Sequence, residues 1–189
     1  VQEQMIEARN VVGLLNRNSP FTIVIGAHYD HLGWGEDNSL YKGEPAIHNG
    51  ADDNASGTAG LLALAKFYSN DTIYNNMNIL FIAFSGEERG LLGSKYFVEN
   101  MMMPPEAISY MLNMDMIGRL ENRELAVSGV GTSPVWAEAL EYANCGLKLK
   151  QSESGVGPSD HTSFYRKNIP VLHFFTGTHK DYHKPTDDD

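Results

Sequence analysis

Histidine and carboxylate side chains follow three apolar runs of the chain, at the points where strands are predicted to end. They are His28 and Asp30 after residues 21–27, Glu87 and Glu88 after residues 78–84, and Asp115 after residues 110–114. Charged side chains at the end of a buried strand cost free energy unless something there needs charge. Because sites in open α/β sheets form beyond the carboxyl ends of the strands, this pattern predicts a metal-binding, hydrolytic edge.

Two loops supply further groups of the same chemical type. Asp52 and Asp53 stand in a Gly-rich turn before a helical stretch, and His183 follows the apolar run 171–175 by a short loop. Two histidines and three acids match the mixed nitrogen and oxygen preference of catalytic zinc. They also fit two metal ions that share one carboxylate, with water between them. The single-zinc His-Glu-x-x-His motif is absent from the sequence. Structural acids without a metal are the alternative interpretation.

Local patterns suggest partners for some of these side chains. Residues two apart on a strand point the same way, so Asp30 can accept the second ring N–H of His28. Asp115 lies among apolar residues and needs a cation or dense hydrogen bonding, and Arg119 is a candidate structural partner. Among the other histidines, His161 is a candidate support for the site. The remaining four are expected to be surface or packing residues: His31, His48, His173 and His179.

Composition narrows the class of protein. The 189 residues suffice for one domain with its own core, and 42% hydrophobic with 20% charged residues is ordinary for a globular protein. A formal charge of −10 disfavours a nucleic-acid partner and an anionic membrane surface. No apolar run approaches the roughly 20 residues that span a bilayer, so no transmembrane segment is expected. Cys145 is the single cysteine, which excludes an intrachain disulfide and a cysteine-based zinc site.

Apolar runs alternate with helical patterns along the chain. Strands are predicted at residues 5–15, 21–27, 77–84, 107–114, 124–128 and 170–175. Helices are predicted at residues 55–68, 91–98 and 133–143, the last with Ser133 as its N-cap. Turns and loops are predicted at residues 16–20, 32–49, 70–76 and 152–159. The alternation indicates a layered α/β fold with a largely parallel sheet.

Six motifs resemble, in the same order, those of the M28 family of zinc metallopeptidases, the co-catalytic dinuclear aminopeptidases. They are residues 26–31, 50–57, 84–93, 113–118, 159–164 and 181–187. The resemblance implies a three-layer α/β/α, zinc-peptidase-like fold with a central, mostly parallel (mixed) sheet. It also implies a single metallopeptidase catalytic domain over residues 1–189. We expect this domain to be truncated at its C-terminal end, because the family usually continues past the His-Lys-Pro segment.

The resemblance implies two Zn²⁺ ions and a set of ligands for them. One zinc ion would be held by His28 and Asp115, the other by Glu88 and His183, and both would be bridged by Asp53. The physics of the sequence alone does not choose between Asp52 and Asp53. The choice of Asp53 comes from the motif, in which the acid directly before Asn54 is the bridge.

The resemblance also implies three catalytic residues. Glu87 would be the general base, and Asp30 would orient His28. Tyr182 matches a position that helps to hold the oxyanion in some members of the family.

The implied activity is that of an aminopeptidase, which removes residues from the amino end of a peptide or protein substrate. A carboxypeptidase or another amide hydrolase on the same scaffold is the nearest alternative. A one-zinc cyclase relative is less favoured, because the two-metal ligand set is complete. The rival from another class is a non-catalytic binding ectodomain that keeps the fold. Family habit predicts a secreted or periplasmic location, and the sequence indicates no particular oligomeric state.

Overall fold

The computed structural model of the protein describes residues 7–70 and 76–188. Within these residues the chain forms one seven-stranded sheet with helices packed on its faces. The strands are β1 (Val11–Leu15), β2 (Thr22–His28), β3 (Asn78–Phe84), β4 (Ile108–Met114), β5 (Glu124–Ser128), β6 (Lys148–Ser152) and β7 (Val171–Phe175). The helices are α1 (Gly57–Asn70), α2 (Leu92–Glu99), α3 (Trp136–Ala143) and α4 (His161–Tyr165). An irregular turn at Ala51–Ser56 precedes α1, and short 3₁₀ turns lie at Pro105–Ala107 and Val130–Thr132.

The sheet is mixed, with a parallel centre. Its strand order is β1-β3-β2-β4-β7-β5-β6, and the neighbours β3, β2, β4 and β7 all run parallel. Strand β1 is antiparallel to β3, and β5 is antiparallel to β7. The carboxyl ends of the four central strands therefore meet at one edge, where the predicted site residues follow β2, β3 and β4.

Strand β2 lies at the centre of the sheet and is buried on both faces, as its continuous apolar run predicts. Val24 faces the layer that contains α2 and α4, and shares a core with Val98 and Phe164. Ile25 faces the opposite layer and packs with Leu61 of α1. Alternate residues of one strand thus join two separate cores.

Helix α3 lies on the α1 side of the sheet. Its Trp136 packs with Leu172 of β7. The register aligns Ile25 with Leu112 and Leu112 with Leu172, which puts all three side chains on one face. The predicted three-layer α/β/α arrangement is therefore confirmed.

The elements differ from the sequence predictions in a few places. The strand predicted from residue 5 is ordered as β1 from Val11, and its residues 5 and 6 lie outside the described part of the chain. Most of the turn predicted at 70–76 also lies outside it. The N-cap prediction is wrong, because α3 begins at Trp136 after Val135, without a side-chain cap. Strand β6 and helix α4 were not predicted, and Ser152 ends β6.

Residues 32–49 form the long loop that the sequence predicts, closed at its base by one antiparallel bridge between Gly33 and His48. Over the ranges 7–70 and 76–188, no helix combines the length and the apolar character needed to cross a membrane.

Candidate metal centre

His28 is the last residue of β2 and lies at the bottom of the site, with 1% of its side chain exposed. Its Nε2 atom lies 3.3 Å from Asp115 Oδ1 and 3.3 Å from Asp53 Oδ1. Its Nδ1 atom lies 3.1 Å from the backbone carbonyl oxygen of Asp30. An N–H at Nδ1 that donates to this carbonyl leaves Nε2 free to bind a metal ion.

Asp30 supports the site in a different way from the one predicted. Its carboxylate is 3.8 Å from His28 Nδ1, so the backbone carbonyl of the same residue is the nearer acceptor. The carboxylate instead accepts the backbone N–H groups of Glu87, at 3.1 Å, and Glu88, at 3.3 Å. Asp30 therefore fixes the turn after β3, which carries both glutamates, to the end of β2.

Asp53 lies between the two predicted metal-binding histidines. Its Oδ1 is 3.3 Å from His28 Nε2, and its Oδ2 is 3.3 Å from His183 Nε2. Asp52 points elsewhere, since its Oδ1 accepts the N–H of Gly118 at 2.7 Å. The peptide bond between Asp53 and Asn54 is cis. Of the two adjacent acids, Asp53 is the one that faces both His28 and His183.

Asn54 holds this turn against the end of β4. Its side-chain amide donates to the carbonyl of Met114 at 3.0 Å, and its Oδ1 accepts the N–H groups of Met116 and Gly57. Gly57 permits the close approach, because a Cβ there would lie 2.5 Å from the Met114 carbonyl oxygen. The first turn of α1 is therefore packed directly beside Asp115.

Glu88 and His183 face each other on the outer side of Asp53. Glu88 Oε2 lies 3.4 Å from His183 Nε2, and its Oε1 lies 2.8 Å from His31 Nδ1. His183 Nδ1 lies 2.9 Å from the backbone carbonyl oxygen of Asn38, in the long loop. The expectation that His31 is a surface or packing residue is wrong. The sequence feature that could have identified His31 as a site residue is its position directly after the His28-Tyr29-Asp30 motif, at the same strand end.

Within the part of the chain that the structure describes, two groups of ligand atoms are compact enough to hold a cation. The first consists of His28, Glu87 and Asp115, and the second of His31, Asp53 and Glu88, each with its ligand atoms within 4.8 Å of one another. The geometry therefore adds Glu87 and His31 to the surroundings of the expected ligands. Imidazole nitrogens and carboxylate oxygens in this mixture fit zinc.

Burial and pairing divide the four carboxyl groups into two kinds. Burial raises the pKa of Glu87 to about 9, and the negative charge of Asp115 acts in the same direction. Burial also acts to raise the pKa of Glu88, but hydrogen bonds to His183 and His31 lower it to about 2. Asp53 and Asp115 likewise have lowered pKa values, because their histidine partners outweigh the effect of burial. Three ionised carboxylates thus meet in one buried place, as a cation site requires.

The histidine partners show the complementary shift. Burial acts to lower the pKa of His183, but its contacts with Asp53 and Glu88 raise it to about 10. Burial also opposes the protonation of His28, yet its bonds to Asp115 and Asp53 raise its pKa well above the ordinary value. In this structure the positive charge on the two rings is what balances the carboxylates, and bound cations would take that role.

Tyr182 lies directly over the outer part of the site. Its ring stacks on His183 with centroids 3.8 Å apart. Burial raises its pKa to about 12, and the charges of Asp53 and Glu88 add to the effect. The phenol therefore keeps its proton and can donate it in a hydrogen bond.

The remaining histidines have structural contacts. His161 and His173 are buried and stacked, with ring centroids 4.4 Å apart, and burial lowers the pKa of His161 to about 3. His48 Nε2 lies 2.8 Å from the Ser39 hydroxyl, inside the long loop. His179 Nε2 lies 3.3 Å from Asp52 Oδ2.

The predicted pairing of Arg119 with Asp115 is wrong. Arg119 instead forms ion pairs with Asp181 and Asp187, each at 3.1 Å. Asp115 is satisfied by His28, because both lie at the ends of adjacent strands.

Comparison with known proteins identifies the family. The sequence profile of peptidase family M28 matches residues 10–189. Leupeptin-inactivating enzyme 1 of Streptomyces exfoliatus is 34% identical over 138 residues, which are 71% of this chain and 30% of the relative. A probable leucine aminopeptidase 1 of Trichophyton verrucosum is 31% identical over 175 residues, which are 85% of this chain and 45% of the relative.

A solved structure gives the same answer for the fold. A zinc aminopeptidase from Bacillus subtilis superposes with a TM-score of 0.74 and 27% sequence identity, over 95% of this chain and 44% of that chain. The chain therefore belongs to peptidase family M28, and the predicted resemblance is confirmed. It spans less than half the length of these relatives.

Proposed function

We propose that this chain is the catalytic domain of a dinuclear zinc aminopeptidase. The observation that carries the proposal is the position of Asp53, whose two carboxylate oxygens each lie 3.3 Å from the Nε2 atom of a different histidine. One carboxylate shared by two nitrogen donors is the arrangement that a pair of bridged metal ions needs. The names of the relatives, two of them leucine or zinc aminopeptidases, support the amino-terminal direction of cleavage.

Five residues fit the proposed metal pair. His28 and Asp115 would hold the inner zinc ion, Glu88 and His183 the outer one, and Asp53 both. The donor set is imidazole and carboxylate throughout, and three of its acids are held ionised. His31 Nδ1 lies 2.8 Å from Glu88 Oε1, and this ring forms a compact group with Asp53 and Glu88, so it also borders the outer position.

Bound zinc would polarise the scissile carbonyl and make a water molecule more acidic. Glu87 is then the general base, because it lies beside His28 and Asp115 and no ion pair or hydrogen bond restrains its carboxylate among the described residues. It takes a proton from the attacking water and returns it to the leaving amine. Nearby cations would lower its raised pKa, so Glu87 acquires its basic form when metal is present.

Two further residues assist this step. Tyr182 keeps its phenolic proton and donates a hydrogen bond to the oxyanion that develops on the scissile carbonyl. Asp30 keeps Glu87 and Glu88 in place through their backbone N–H groups, and its carbonyl fixes the tautomer of His28. The substrate is a peptide or protein with a free amino end, and we propose a secreted or periplasmic location for the enzyme.

Two measurements test the proposal: the zinc content of the protein and the end of the substrate from which it cleaves. We expect two zinc ions per chain, hydrolysis of leucyl and other aminoacyl nitroanilides, loss of activity with a chelator and its return with zinc. N-acetylated peptides should not be cleaved. A zinc-free protein without activity would instead indicate a binding domain, one zinc ion would contradict the dinuclear site, and cleavage of N-blocked peptides from the carboxyl end would indicate a carboxypeptidase.

A further inference from the structure

A second polar network lies directly behind Asp53, and the proposed mechanism leaves it without a role. At its centre is Asp187, whose side chain is fully buried. Asp187 Oδ2 accepts the backbone N–H of Asp53 at 3.0 Å, and both of its oxygens lie 3.1 Å from the backbone nitrogen of Asp52. A buried carboxylate is stable only with such donors, so these contacts define the position of its oxygens and of the turn.

Arg119 fixes the other side of Asp187. One guanidinium nitrogen lies 3.1 Å from Asp187 Oδ1, and another lies 3.1 Å from Asp181 Oδ2. Thr186 donates its hydroxyl to the second oxygen of Asp181 at 2.8 Å. The rigid fork of an arginine can hold two carboxylates at once, which the single charge of a lysine cannot do with the same geometry.

Each of the three segments that meet in this network carries one of the proposed metal ligands. Asp187 follows His183 by four residues, and Arg119 follows Asp115 by four residues. The backbone that Asp187 holds is that of Asp53 itself. The network also includes Asp52, which accepts the N–H of Gly118 at 2.7 Å and faces His179. Loops from three separate parts of the chain are therefore joined through one buried carboxylate.

We infer that Asp187, held by Arg119, is a positioning residue that aims the Asp53 carboxylate between His28 and His183. The inference rests on the proposed function, because Asp53 is the proposed bridging ligand. Asp187 is not among the proposed zinc ligands, and it would act through the backbone N–H groups of Asp52 and Asp53 that its carboxylate accepts. Partners of this outer kind typically change metal affinity or activity by about 10–100-fold when they are removed.

The test compares Asp187→Asn with Asp188→Asn. Asp188 is the adjacent, exposed acid, whose backbone carbonyl but not its carboxylate contacts Arg119, so its change alters net charge equally without touching the network. Zinc affinity is measured by competition with a chromogenic chelator, and the absorption of the cobalt-substituted protein reports ligand geometry. We expect Asp187→Asn to weaken zinc binding by about 10–100-fold and to shift the cobalt bands, with neither effect in Asp188→Asn.

A second pair of variants covers the case in which Asp187→Asn does not fold. The Arg119 side chain is one-third exposed, so Arg119→Gln and Arg119→Lys are tolerable, and both should weaken zinc binding because neither reproduces the fork. Zinc affinity and cobalt spectra equal to those of the parent in the folded variants would overturn the inference. A parent protein that binds no zinc would overturn the proposed function itself, which keeps the two failures distinct.

Discussion

The two halves of the candidate metal centre are built in different ways. The sheet half consists of His28, Glu87 and Asp115, which end or closely follow the neighbouring strands β2, β3 and β4. The loop half consists of His183 and His31 around Glu88, outside the regular elements. The His28 side chain is 1% exposed and that of His183 is 12% exposed.

The loop half is held by contacts between loops rather than by a sheet. His183 has a left-handed backbone with φ 54°, and the backbone carbonyl of Asn38 and N–H of Leu40 both bond to it, each at 2.9 Å. The Asn38 side chain also donates to the carbonyl of Glu88 at 2.9 Å. Because loops open more easily than sheets, the comparison predicts that the outer of the two proposed zinc sites is the weaker one.

The largest expected effect is that of Glu87→Gln, which should stop catalysis without removing the metal ions from the sheet half. Glu87→Gln should lower kcat by about a hundredfold to ten-thousandfold, because the variant cannot accept the proton of the attacking water. Both zinc ions should remain bound, since the backbone N–H of residue 87 still bonds to Asp30. Steady-state kinetics and metal analysis check the prediction, with the exposed Glu99→Gln as control. Turnover equal to that of the parent would remove Glu87 from the mechanism.

A pair of ligand deletions compares the halves directly. In the metal-free protein, His28→Ala should cost about 3–5 kcal/mol of unfolding free energy, because it removes the histidine partner of the buried Asp115 carboxylate and one of the two histidine partners of Asp53. His183→Ala should cost less, because its ring lies nearer to solvent. Urea unfolding with chelator present measures both. Equal losses of unfolding free energy in the two variants would contradict the predicted difference between the halves.

Acid should weaken the support of the sheet half. His161 packs behind it on His173, and its pKa is lowered to about 3, so the folded state binds its proton less tightly than the unfolded state does. Stability from this ring is present above the unfolded pKa of about 6.5 and is lost as the pH falls. Between pH 7 and pH 5 the metal-free parent should lose about 2 kcal/mol more unfolding free energy than His161→Phe. Parallel pH profiles for the two proteins would contradict this.

The smallest expected effect concerns Asn38, which holds the loop half in place. Asn38→Ala removes the amide bond to Glu88 and places a residue that avoids positive φ at a backbone angle of 62°. Asn38→Gly removes the same bond without the backbone penalty. Both variants should lower the zinc affinity of the proposed outer site by about tenfold, and Asn38→Ala should lower it more than Asn38→Gly. The affinity of the inner site should change little. Isothermal titration with zinc resolves the two sites, and an equal loss at both would contradict their independence.

The sheet half could be predicted from the sequence because parallel strands gather their carboxyl ends at one edge. The apolar runs before His28, Glu87 and Asp115 were enough to place those residues together. Family resemblance was needed to select Asp53, since the feature that distinguishes it from Asp52 is the direction of each side chain. That direction depends on long-range contacts with Asp187 and Gly118.

The loop half could be predicted only in part. The carbonyl of Asn38 that holds His183 belongs to the backbone and has no residue type to mark it. Strand β6 was missed because the edge sequence 148–152 is polar, and it forms through its pairing with β5 and an ion pair of Lys150 with Glu124. Helix α4 has five residues, too few to show a helical period.

The bonds from Asn38 and Leu40 to His183 divide the long loop into two parts that differ in tolerance to change. Residues 38–40 must keep their spacing, because a shift of one position would pull the histidine away from Asp53 and Glu88. Beyond them, Tyr41 and Ile47 are exposed. Insertions or deletions between these two residues would reshape the surface of the loop near the candidate metal centre, while the contacts that hold His183 stay in place. If the proposed function is correct, changes in the length of this part of the loop should alter substrate preference more than zinc affinity.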